Sequence, residues 1–139
     1  MNALKSLPLV IIGCVLTIAG SCMPWVTVTI LGESKVTSGL DGDGVITLTL
    51  AVLALLLAFG KKKVLAIIDA ILSGIAAAIG IYDLTQITGK VKEVTTVGMG
   101  EVLGDALKFT IGTGLYLVVA GSLLATVACI LRLAVDNRR

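Results

Sequence analysis

VLAIIDAILSGIAAAIGIY, running from Val64 to Tyr82, is the stretch whose reading decides the fold. It holds one charge, Asp69, and no proline. About 20 such residues in a helix cross a bilayer core of ~30 Å, and a helix is the cheap way to satisfy a backbone in hydrocarbon. Outward from it lie three more apolar runs. Leu7 to Trp25 precedes it, followed by Val45 to Phe59, a short run whose helix begins back near Asp43. Phe109 to Val135 follows, with Arg132 placed to snorkel to an aqueous edge. The reading is therefore an all-α membrane protein, an antiparallel four-helix transmembrane bundle with a small extracellular β-hairpin and a short amphipathic outer segment. Its spans lie at about 7–25, 43–60, 64–83 and 108–133, with outer loops at 26–42 and 84–107, in one domain over residues 1–139.

Composition agrees. Of 139 residues, 57% are hydrophobic and 14% charged, against about a quarter charged in a soluble domain. Four spans use roughly 80 positions, which leaves no room for an appended catalytic domain. Charge then orients the chain. One side holds Lys5, Lys61, Lys62, Lys63, Arg132, Arg138 and Arg139 against Asp136. The other holds Lys35, Lys90, Lys92 and Lys108 against Glu33, Asp41, Asp43, Asp83, Glu93, Glu101 and Asp105. The basic excess places both termini and the Lys61-Lys62-Lys63 turn in the cytoplasm of a multi-pass cell-membrane protein. Trp25, Tyr82 and Tyr116 fall near the outer ends of their spans, where interfacial anchors belong.

The chemistry-bearing residue types are sparse. With no histidine, the chain cannot build a Ser-His-Asp triad, an HExxH zinc helix or a His-ligated haem site. Three cysteines cannot form a four-Cys zinc site. Cys14 and Cys22 stand about 12 Å apart along one helix, too far to bridge, and the three read as small buried hydrophobes. No enzyme, cofactor, metal, nucleic-acid partner or small-molecule substrate is expected. A competing reading takes Lys5, the first apolar run and Ile18 to Cys22 as a lipoprotein signal; Ala19, where an aliphatic residue belongs, weakens it.

In the first outer loop Val26, Val28 and Ile30 alternate with Thr27 and Thr29, the period of a half-buried strand. Gly32-Glu33-Ser34 supplies a turn, and Lys35 to Ser38 returns. An isolated hairpin is marginal in water, so it should pack on the other loop or on a neighbouring subunit. Asp41-Gly42-Asp43-Gly44 evokes a calcium loop, but the twelfth position, where an EF-hand needs Glu, is Val52. Asp41 and Asp43 are instead read as a turn and a cap on the second helix. In the second loop Leu84, Ile87, Val91 and Val94 recur at helical spacing and suggest a short amphipathic helix. Val97-Gly98-Met99-Gly100 ends it, Glu101 to Lys108 starts the fourth helix early, and no GxGxxG phosphate motif appears.

Ala66, Ala70, Gly74 and Ala78 recur every four residues in the third span, and Gly121 and Ala125 repeat the pattern in the fourth. Small residues so spaced let helix backbones approach in lipid, within the bundle or between subunits. Asp69 is the candidate functional acid. An acid inside a span is a functional-site hypothesis by default, set against a structural polar contact or a carboxylate that snorkels towards Lys61 to Lys63.

Pro24-Trp25, Gly39-Leu40-Asp41-Gly42-Asp43-Gly44-Val45-Ile46-Thr47-Leu48 and Gly112-Thr113-Gly114-Leu115-Tyr116-Leu117 together resemble a pattern in small four-span proteins of actinobacteria and their phages. The resemblance touches about the whole chain, and its motifs report turns and packing. In layout, with a tryptophan after span one and a strand-bearing first outer loop, the chain is also similar to claudins. It lacks their paired cysteines and Trp-x-x-Trp string in that loop, so the likeness implies shape and no barrier function. The expected function is a non-enzymatic integral membrane scaffold or accessory protein, which self-associates as a homo-oligomer or binds another membrane protein within the lipid bilayer. The alternatives are an oligomeric pore, channel or transporter subunit that uses Asp69, and a prophage or host membrane protein for phage exclusion.

Overall fold

Residues 3–60, 62–96 and 107–137 are described by the structure, a computed structural model. Among them run α1 (Ala3–Cys22), β1 (Pro24–Ile30), β2 (Glu33–Ser38), a 3-10 turn (Gly39–Asp41), α2 (Gly44–Ala58), α3 (Lys63–Thr96), β3 (Leu107–Ile111) and α4 (Thr113–Asp136). α3 and α4 are long and apolar enough to cross a membrane; the apolar stretches Ser6–Cys22 of α1 and Gly44–Ala58 of α2 are shorter.

Several boundaries depart from the sequence reading. The hairpin turn read over Gly32-Glu33-Ser34 lies at Leu31-Gly32, and β2 runs back to Glu33. α1 starts at Ala3 and ends at Cys22, because Pro24 cannot continue a helix with its neighbour held extended; Trp25 therefore belongs to β1. The helix read over Leu84 to Val94 is no separate segment. α3 simply continues to Thr96, since Gly89 alone costs only about 1 kcal/mol. The early start of the fourth helix is wrong over Leu107 to Ile111, which form β3: Phe109 and Ile111 alternate with Lys108 and Thr110, and Gly112 separates strand from helix. Asp43 stands at the N-cap of α2 but makes no side-chain capping bond. The calls on Lys61, on Val97 to Gly100 and on Glu101 to Ala106 lie outside the described residues.

The hairpin does not stand alone. β3 pairs antiparallel with β1, giving the strand order β2-β1-β3. Val26, Val28 and Ile30 share a face with Phe109 and Ile111 of β3, while Thr27 and Thr29 face away. Leu31 and Gly32 turn the chain with φ of 50° and 90°, both positive as a two-residue hairpin turn requires.

α1 and α4 form the most extensive helix pairing. A Cβ on Gly13 would lie 2.6 Å from Ala125 N, and one on Gly121 would lie 2.7 Å from Gly13 O, so neither position admits a larger residue without moving the backbones apart. Val10 and Cys14 of α1, Ala54 and Ala58 of α2, and Ala125, Ala128 and Cys129 of α4 form one core cluster. Trp25, Leu115 and Val118 form a second, under the sheet. Trp25 is only 6% exposed, and its indole Nε1 donates to Gly20 O at 3.0 Å. It plugs the sheet end of the bundle where an interfacial anchor was expected, because the turn into β1 folds it back over α1. Across the α1–α2 contact, Ser21 Oγ and Thr47 Oγ1 share a buried hydrogen bond of 3.0 Å.

Candidate functional site

Asp69 stands 0% exposed inside the helix cluster, on the face of α3 turned towards α1 and α4. Around it stand Cys129 and Arg132 of α4, Ser73 one turn along α3 and Cys14 of α1. Neither carboxyl oxygen of Asp69 has a hydrogen-bond partner, and Ser73 Oγ has none either. Arg132 does not supply one. Its Nη1 and Nη2 donate at 3.0 Å to Ala58 O and Gly60 O, carbonyls left over where α2 ends. The Asp69 side chain thus ends inside the helix cluster and not at an exposed edge. In the lysine turn, Lys63 Nζ donates to Asn137 Oδ1 at 2.6 Å and ties the start of α3 to the end of α4, while Lys62 is exposed.

The small-residue stripe of α3 divides. Ala66 is buried and Ala70 packs against the core cluster, but Ala78 is exposed and a Cβ on Gly74 would meet nothing within 4 Å. The inward face of α3 is Ala66, Asp69, Ser73, Ala76, Ala77 and Gly80 instead. A four-residue repeat advances about 40° per step on a helix of 3.6 residues per turn, so three steps carry Ala78 roughly 120° from Ala66. Gly121 and Ala125 of α4 do meet α1.

At the sheet end, Asp41 Oδ2 accepts from Ser38 N at 3.0 Å and from Ser38 Oγ at 3.1 Å, closing the 3-10 turn. Tyr82 and Tyr116 project from α3 and α4 there, each more than half exposed. Asp83 entered the sequence reading only as a charge. The structure brings its carboxyl against that of Asp43, and its Oδ2 is buried without a partner. The signal was present in outline, since Asp43 just precedes α2 and Asp83 lies some 20 residues into the antiparallel α3, which levels the two along the bundle.

The three cysteines are free thiols, buried at positions 14 and 129 and exposed at 22. Among the described residues no group of three Cys, Asp or Glu side chains is placed to hold a metal ion. Compared with family models, curated proteins and solved structures, the chain shows no match.

Proposed function

We propose that the chain is a non-enzymatic integral membrane scaffold or accessory protein, a four-span bundle with both termini in the cytoplasm, acting through self-association or by binding another membrane protein. The observation that carries this reading is the apolar exterior carried by all four helices. Ile12 and Val15 of α1, Leu53 and Leu56 of α2, Ile71 and Ile75 of α3, and Val127 and Ile130 of α4 all face outward. Apolar patches on a soluble monomer rarely exceed a few hundred Å², and an exterior of this kind needs lipid or another helix. The inside of the bundle favours assembly over conduction, since Asp69 is fully buried beside the packed Cys14 and Cys129.

Reconstitution tests it. Purified protein in liposomes should leave them ion-tight, and its labelled copies should associate in nanodiscs or pull a second membrane protein with them. An ion flux that Asp69→Asn alters would replace this reading with the pore.

A further inference from the structure

Between the sheet and the end of α3 that passes it lies a groove of about 540 Å³, within the size range of small-molecule sites. Val26 of β1 and Phe109 of β3 form one wall, and Ile87 and Val91 of α3 form the other. Lys90 and Glu93 complete its helix side, one cation and one anion, both exposed. Position along α3 orders these groups. With Tyr82 at the outer end of the third span, Ile87 stands about 7.5 Å beyond it, and Lys90 and Glu93 about 12 and 16 Å beyond it. The headgroup layer adds only ~5–7 Å to each face of the hydrocarbon core. The apolar lining therefore starts level with the headgroups, and the two charges stand just outside them. An apolar slot on the membrane side with both signs of charge at its far end is complementary to a zwitterionic amphiphile whose chain points to the bilayer.

We propose that this groove holds a zwitterionic phospholipid of the outer leaflet, lifted part way out of its layer. An acyl chain lies against Val26, Ile87, Val91 and Phe109. The phosphate meets the Lys90 ammonium, and the headgroup cation meets the Glu93 carboxylate. An anionic lipid would satisfy Lys90 and bring its net charge beside Glu93. The inference rests on the four-span membrane reading and adds a lipid ligand to it.

Trp25, the one tryptophan of the chain, packs against Val26 and Ile87, so bromine on a chain seated in the groove quenches its fluorescence. The test uses the full chain in maltoside micelles, titrated with phosphatidylcholine brominated along its acyl chains. Quenching should saturate, and phosphatidylglycerol with the same chains should require about fivefold more lipid. Lys90→Gln with Glu93→Gln should make the two lipids equal, and Val91→Phe, which fills the groove, should remove the saturable quenching. Quenching that only rises in proportion to lipid content overturns the proposal. So does an equal or greater response to phosphatidylglycerol in the native chain, or a headgroup preference that survives loss of both charges. Should Val91→Phe fail to fold, the two exposed positions still decide. Energy transfer between labelled copies in nanodiscs identifies a different occupant. Association abolished by Val91→Phe, with no saturable lipid, gives the groove to a second copy and overturns the proposal. A chain that stays in water once detergent is removed refutes the membrane reading itself, whereas a chain that enters liposomes without saturable lipid loses this inference alone.

Discussion

Leu31 holds a backbone conformation that suits it poorly. Its φ of 50° costs an L-residue with a bulky side chain about 1–2 kcal/mol, and its side chain is 79% exposed, so burial returns little. Leu31→Asn should tighten the hairpin by about 1 kcal/mol, read as slower amide exchange across the β1–β2 pairs; unchanged exchange would show that the turn is not strained. Trp25 is the opposite case, a residue used fully. Trp25→Phe keeps most of the packing on Leu115 and Val118 but loses the bond to Gly20 O, and should cost about 1 kcal/mol in unfolding free energy. Asp69 is buried with both oxygens unpartnered, so Asp69→Asn, which keeps the shape and adds donors facing Ser73, should change stability by no more than about 1 kcal/mol. A loss several times larger would mean that the carboxylate has a partner essential to the fold.

Among the elements, the α1–α4 pair holds the bundle together. Gly121→Val pushes a branched side chain against Gly13 O and Thr17, where a bare Cβ already lies at 2.7 Å. It should cost about 3 kcal/mol or more by forcing the helices apart, seen as a lowered unfolding midpoint in detergent. The Ser21–Thr47 bond between α1 and α2 should show a coupling of about 0.6 kcal/mol in a double-mutant cycle with alanine. The helix-pairing residues of α4 were legible, because Gly121 and Ala125 sit one turn apart, too short a stretch for the repeat to drift. In α3 the same pattern ran long enough to rotate away from the core, which is why its second half faces outward. β3 was hidden for a related reason. Five residues, Leu107–Ile111, are too few to show a period of two against the apolar helix that follows, and only Gly112 marks the break. The Asp43–Asp83 contact joins the start of α2 to the interior of α3, and a pairing across 40 positions of sequence is set by helix lengths and not by any local motif.

For the whole molecule, the reading turns on how many helices lie in lipid. α3 has 34 residues, about 51 Å, more than a ~30 Å core requires, and its sheet-end portion packs through Leu84 and Ile87 onto the Trp25 cluster. α2 has 15 residues, about 22 Å, and spans only with help from flanking residues or a thinned bilayer. The proposed bundle therefore differs most from a two-span chain at the α1–α2 hairpin. Ser34, between α1 and α2, and Lys62, between α2 and α3, are both exposed. Single cysteines at these two positions, with the native three replaced, can be probed in intact cells with a membrane-impermeant maleimide. The four-span account predicts labelling at Ser34→Cys from outside and none at Lys62→Cys until the cells are opened. Both positions reacting from the same side would contradict it.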